Sequence, residues 1–160
     1  MKCLVCGGAM KTTVENYKYQ SLPGVTLVNV RVDRCSACGE SEVEIPRIED
    51  LNKAVALAVI SKHGRLNSAE IRFLRKSLGW SGADLARHMG AEPDTVSRWE
   101  NNKQRIGPHT DRLLRLMVAV GQPVESYQLD SLEHISDKPE KLRLALHADA
   151  SGWTAESAAA

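Results

Sequence analysis

The four cysteines of the chain fall into two pairs of identical spacing, Cys3-x2-Cys6 and Cys35-x2-Cys38. Thiolates two residues apart can be offered to one ion by a single turn, and two such turns complete a tetrahedron, the geometry zinc adopts with sulfur ligands. Gly7 and Gly39 follow the second cysteine of each pair, which fits a knuckle whose backbone N–H groups turn toward the sulfurs and relieve their negative charge. Four protein thiolates leave no open position for water or substrate. The spacing therefore predicts a structural Zn2+ held by Cys3, Cys6, Cys35 and Cys38 rather than a catalytic metal. Iron in a rubredoxin-like centre is the rival occupant, and a dithiol redox pair a third reading, but nothing in the rest of the chain suggests electron transfer. Stable disulfides are disfavoured, because the opening residues form too short an apolar stretch for a secretory signal and a cytoplasmic, reducing compartment is expected.

The second set of residues with chemistry to offer lies in the middle of the sequence. The chain has 160 residues and a net charge of +1, which by itself points to no partner. The charge is unevenly placed, however: residues 61–115 carry 11 Lys/Arg against 6 Asp/Glu, and residues 116–160 carry 3 against 7. A basic central segment is what a phosphate-facing surface requires. Within it Arg98 is the best candidate for reading a base, since a guanidinium matches guanine O6 and N7 in a bidentate way. Asp94 and Thr95 come next, Asp94 either accepting from a cytosine amine or capping a helix. Ser97, Lys103 and Arg105 suit phosphate contacts, which position a protein on DNA without specifying sequence. No nucleophile and base stand together, and His63, His88, His109, His134 and His147 are scattered. No catalytic residue and no enzymatic activity are expected.

These residues need elements to hold them. Residues 12–20 have the β-branched and aromatic character of a strand. Ser21-Leu22-Pro23-Gly24 supplies a turn, and residues 27–33 alternate, with Val28, Val30 and Val32 on one face. Such a hairpin would bring the second cysteine pair beside the first, in a β-rich module too poor in apolar residues to stand without a metal. Residues 47–63 read as a connecting helix through Leu51, Val55, Ala58 and Val59. Asn67 to Glu70 can cap a helix carrying Ile71, Leu74 and Leu78 inward. Ser81-Gly82-Ala83-Asp84 fits a capping box for a second helix, which Gly90 stops. A third helix, starting at Asp94 or Thr95, contains Val96 and Trp99. Small Ala86, Gly90 at the turn and Val96 at the crossing make the spacing of a helix-turn-helix, whose second helix enters the major groove. Pro108 opens a further helix in which Leu113, Leu114, Leu116, Met117 and Val120 close the bundle. Pro139 is expected to open a short amphipathic helix through Leu142, Leu144 and Leu146, and residues 151–160 to be disordered. No run of apolar residues reaches membrane-spanning length.

The expected architecture is α+β with two domains: a small β-rich zinc-binding N-terminal domain over 1–46, a helical linker over 47–66, an all-α helix-turn-helix domain over 67–121, and a partly disordered extension over 122–160. Leu85-Ala86-x3-Gly90 followed by Val96-Ser97-Arg98-Trp99-Glu100 resembles the Cro/C1-type (XRE) helix-turn-helix, and the paired knuckles, with Met1-Lys2 before the first and Gly39-Glu40 after the second, resemble the YgiT-type zinc finger. Joined in this order over about residues 1–120, they resemble MqsA-type antitoxins of type II toxin–antitoxin systems. That resemblance implies a homodimer formed through the helical domain and an autorepressor of palindromic operators in double-stranded DNA. It also implies a zinc domain that neutralises a small ribonuclease toxin of the RelE-like superfamily. The matched recognition-helix arginine is Arg98; where the family uses an asparagine nearby, this chain has Asp94. The alternative is a stand-alone zinc-stabilised regulator that senses redox state or a ligand.

Overall fold

The computed structural model describes residues 1–121 and 135–157. In chain order its elements are β1 (Met10–Lys18), β2 (Val25–Cys35), β3 (Ser41–Glu44), α1 (Ile48–Ser61), α2 (Ser68–Ser77), α3 (Gly82–Met89), α4 (Pro93–Glu100), α5 (Pro108–Gly121), β4 (Leu144–Asp149) and β5 (Gly152–Ser157). They divide into two compact units. Of the described residues, the first comprises 1–19, 24–51 and 143–157, and the second 20–23, 52–121 and 135–142, so the boundary falls within the first turns of α1.

The first unit is a sheet organised by β2, which pairs antiparallel with β1 along one edge. Its other edge is shared: Arg31 to Arg34 pair antiparallel with β3, while Val25, Thr26 and Leu27 pair parallel with β4, to which β5 is antiparallel. The hairpin of β1 and β2 contains a bulge. Glu15 opposes Val30 and Tyr17 opposes Leu27, so Asn16 faces two residues, Val28 and Asn29. Asn29 adopts φ 54°, and its N–H donates to Asn16 Oδ1 at 3.3 Å. One extra residue reverses the side-chain phase of a strand. The buried set is therefore Val25 and Leu27 before the bulge and Val30 and Val32 after it. Val28, expected beside Val30 and Val32, is only half-buried.

The C-terminal segment departs furthest from expectation. The amphipathic helix from Pro139 and the disordered stretch from Ser151 are replaced by the β4–β5 hairpin. Its turn is closed by Asp149 Oδ1, which accepts from the N–H groups of Ser151 (2.7 Å) and Gly152 (3.1 Å), an Asx-type closure. Leu146 is wholly buried, and the indole N–H of Trp153 donates to the carbonyl of Pro46 at 2.8 Å. A ladder along an otherwise unpaired edge satisfies this backbone in a way that the short helix, with one apolar stripe, does not match. Residues 122–134 and 158–160 of the expected extension lie outside the described residues.

The second unit is helical. The expected cap at Asn67 is a full capping box with Glu70 at the start of α2, and the expected capping box of Ser81 with Asp84 opens α3. Gly90 ends α3 at φ 62°, ψ 32°. α4 begins at Pro93, one or two residues before the expected start at Asp94 or Thr95, and its N-cap Glu92 makes no side-chain cap bond. The core holds Val55, Val59, Ile60, Ile71, Leu74, Leu85, Val96, Ile106, Leu114 and Val118. Leu78 is half-buried, and Leu113, Leu116 and Val120 of α5, expected to close the bundle, are exposed. The stripe on α5 that does face inward includes a charged pair instead, Asp111 and Arg115, each with 0% of its side chain exposed.

That pair satisfies the joint between α1 and α2. Arg115 Nε donates to Asp111 Oδ1 at 2.7 Å, and its other nitrogens donate to the carbonyls of Ile60 (3.0 Å), Gly64 (2.6 Å) and Lys62. Asp111 Oδ2 accepts the N–H of Leu66 at 2.7 Å. α1 has no basic residue in its last turn, so Arg115 supplies both the hydrogen bonds and the positive charge that a helix C-terminus favours. Alongside, Lys62 Nζ lies 2.8 Å from both carboxylate oxygens of buried Glu70. Removing one member of a buried, hydrogen-bonded pair strands the other. Asp111→Ala is expected to lower stability by about 3–5 kcal/mol, read as a reduced midpoint of urea unfolding; a loss under about 1 kcal/mol would show that water replaces the carboxylate.

Candidate functional sites

The cysteines sit at two turns of the first unit. Cys3 and Cys6 lie in the loop that a bridge between Lys2 and Ala9 closes, and Cys35 ends β2. In the first knuckle the N–H of Gly7 donates to Cys3 O (2.9 Å) and that of Cys3 to Gly8 O (2.9 Å); in the second, Gly39 donates to Cys35 O (3.0 Å) and Cys35 to Glu40 O (2.8 Å). Among the N–H groups that turn to sulfur are those of Gly8, toward Cys6 Sγ, and Ala37, toward Cys35 Sγ, each at 3.4 Å. Gly7 and Gly39, the glycines expected in these knuckles, make the turns themselves, at φ 71° and 77°.

All four sulfurs lie within 4.8 Å of one another. Cys6 Sγ is 3.4 Å from Cys35 Sγ, and Cys3 Sγ is 3.7 Å from Cys38 Sγ. A tetrahedron with metal–sulfur bonds of about 2.3 Å has edges of about 3.8 Å, so the group has the span of a tetrathiolate site. Its electrostatics favour a cation. The N–H groups of Cys38 and Ala37 hold the Cys35 thiol down to about 6. The Glu40 N–H draws the Cys38 thiol down too, but the Cys6 sulfur, burial and the other two cysteines outweigh it and push it up to about 12. Cys6 is also raised, its Gly8 hydrogen bond being overcome by Cys35 and burial. Four thiolates do not ionise together in so small a volume unless a positive ion offsets them.

In the second unit, Ala86 on α3 and Val96 and Trp99 on α4 are buried, so the two eight-residue helices pack by the small residue and the branched one that the sequence singled out. Asp94, Ser97 and Arg98 are exposed and Thr95 half-exposed. Asp94, Ser97 and Arg98 are three and four residues apart, so they share a face of α4. Lys103 and Arg105, in the loop before α5, are exposed as well. Arg105 donates to the main-chain carbonyl of Asp137.

Sequence reasoning missed the supports of this helix. Arg75 of α2 grips Glu100 of α4 with two nitrogens, at 2.5 and 3.1 Å, and also donates to Trp80 O at 2.8 Å. Arg72 donates to Glu100 O and Asn101 Oδ1. A run of Arg72, Arg75 and Lys76 on one short helix reads as surface charge; only the tertiary position of Glu100 turns two of them into clamps. Trp80 stacks on His88, centroids 3.9 Å apart.

The chain belongs to the family described as the antitoxin component of bacterial toxin–antitoxin systems, MqsA, which matches residues 1–122. A toxin partner in general follows from that membership. No curated protein matches the chain. Among the described residues no helix is long and apolar enough to cross a membrane.

Gly8 gives the cluster a sharp test. A Cβ there would stand 3.0 Å from Ala37 Cβ and 3.2 Å from both Cys35 Sγ and Cys6 Sγ. Gly8→Ala is expected to release metal at least several-fold faster to a chelator than the parent chain, with one metal per chain in both; equal rates would show that the knuckles relax around the methyl group.

Proposed function

We propose that this protein is a cytoplasmic, homodimeric antitoxin that represses its own promoter and neutralises a small ribonuclease toxin of the RelE-like superfamily. In this reading Cys3, Cys6, Cys35 and Cys38 hold a structural Zn2+, and α3 and α4 act as an XRE-type helix-turn-helix on a palindromic operator. The domain plan is a zinc-binding module over 1–46, a helical linker over 47–66, a DNA-binding domain over 67–121 and an extension over 122–160 whose β4–β5 hairpin joins the sheet of the first module, with no enzymatic role.

The observation that carries the DNA-binding part is the exposed face of α4. Arg98 stands between buried Val96 and Trp99 on one side and solvent on the other, so its guanidinium is free to enter a groove while the helix is held from behind. Arg98 reads a guanine, Asp94 and Thr95 read neighbouring positions, and Ser97, Lys103 and Arg105 grip phosphates. The dimer is supported by Leu113, Leu116 and Val120, an exposed apolar stripe at helical spacing on α5. The toxin-binding part is supported by family membership, and zinc by the sulfur spacing.

Two measurements test this. Arg98→Ala should weaken operator binding by about 1–3 kcal/mol and relax selectivity at one base pair; an equal loss on every sequence would make Arg98 a phosphate contact. For neutralisation, the reading frame beside this gene is induced alone and with the full chain. Growth arrest that the parent chain relieves, and the Cys6→Ser/Cys38→Ser chain does not, is expected. Absence of toxicity, or toxicity the parent chain leaves untouched, would sink the toxin reading and leave a zinc-stabilised repressor.

A further inference from the structure

Residues 136–140 lie beyond the part of the chain that matches the family, yet within the second unit they run across the joint that follows α1. The Ser136 N–H donates to His63 O at 2.6 Å, in a parallel bridge to Gly64. The Glu140 carboxylate accepts the N–H of Gly64 at 2.8 Å, and the Glu140 carbonyl accepts from Lys62 Nζ at 3.1 Å. Asp137 faces the other way. Its carboxylate pairs with Arg65, whose side chain is 10% exposed, and its carbonyl accepts from Arg105. Arg65 also donates to Ile106 O at 3.3 Å, so two arginines fasten the loop between α4 and α5 to this strap. The packing is close: a Cβ on Gly64 would lie 2.6 Å from Glu140 Cβ.

We infer that this strap is a positioning device for DNA binding, with Asp137 holding Arg105 in the orientation in which it meets a phosphate. The inference rests on the proposed role of Arg105. A carbonyl takes one N–H of the guanidinium and leaves its charge intact, and the remaining donors stay available on an exposed side chain. The Asp137 carboxylate, which would neutralise Arg105, is paired with Arg65 instead. Holding a long side chain in place before the ligand arrives removes its ordering cost, about 0.5–1.5 kcal/mol, which corresponds to about two- to twelvefold in affinity.

The test uses the full chain, a duplex from upstream of its own coding sequence, and a random duplex of equal length, titrated across a range of salt. The strap is loosened from either side, by Asp137→Ala/Glu140→Ala or by Gly64→Ala, and thermal unfolding and hydrogen exchange at Ser136 identify variants that stay folded with the strap released. Released variants should bind both duplexes about two- to twelvefold more weakly with an unchanged salt slope, because the phosphate contact is still made. Arg105→Ala should make the slope shallower by about 0.9, and loosening the strap in that background should have no further effect. The inference is overturned if released variants bind as tightly as the parent or tighter, or lose affinity equally without Arg105. If Arg105→Ala changes neither affinity nor slope, the phosphate role itself falls, an outcome distinct from failure of the strap alone.

Discussion

The helical unit depends on how five residues between α1 and α2 are satisfied. A joint at 62–66 that is buried as deeply as this one, with Lys62, Gly64 and Leu66 all shielded from solvent, presents carbonyl and N–H groups that no helix ladder serves. Left unpaired, each would cost about 1–3 kcal/mol. Asp111 and Arg115 answer three of them at once, accepting from Leu66 and donating to Lys62 and Gly64, and Arg115 also serves the carbonyl of Ile60 in α1. Their spacing of one helical turn lets the two side chains bond each other, so neither charge is buried alone. A hydrophobic pair of similar volume would pack there but leave the joint's backbone unsatisfied. The arrangement therefore fixes where α2 begins, and α2 in turn carries the arginines that clamp α4.

The sheet unit meets the opposite problem, too little apolar surface. With 4% aromatic residues in the whole chain, its core is a few aliphatic side chains on β2 together with Tyr19, Leu51, and Leu146 and Trp153 from the C-terminal hairpin. Small modules of this kind need a covalent or metal staple. The cysteine cluster ties the start of the chain to the end of β2, and β4 covers a stretch of the β2 edge that β3 does not reach. Both devices act on the same strand from its two ends, which is why a chain with so little to bury can hold a five-stranded sheet.

Local chemistry was legible in the sequence, and tertiary completion was not. The cysteine spacing, the caps at Asn67 and Ser81, Gly90 and the apolar positions of α3 and α4 follow from rules that operate within one or two turns of chain. The bulge at Asn29 was invisible because Val28, Val30 and Val32 form an unbroken alternation; only the register against β1 reveals the inserted residue. Residues 139–146 have apolar side chains at both helical and strand-compatible spacings, and the strand prevails because β2 offers an open edge. The Asp149-Ala150-Ser151-Gly152 turn was a usable signal, since Asp and Gly at those positions suit a tight hairpin. Nothing local to Asp111 and Arg115 signals their burial, which is set by a joint 45 to 55 residues away.

The mounting of α4 separates what the helix is from what it presents. Eight residues are too few for a stable isolated helix, so α4 exists because Val96 and Trp99 are buried and Glu100 is gripped by Arg75. Asp94 and Arg98 take no part in these contacts. At the other end, Glu92 makes no side-chain cap bond and Pro93 has no N–H to satisfy, so the start of the helix is shaped by backbone preference and not by a polar side chain reaching back across the exposed surface. Ser97 Oγ accepts from Asn101 Nδ2 at 3.2 Å at the end of the helix, so Asp94 and Arg98 are the side chains of that surface that the clamp does not use. Substitution there changes which surface the helix offers to a partner while the clamp behind it keeps the geometry of the offer constant.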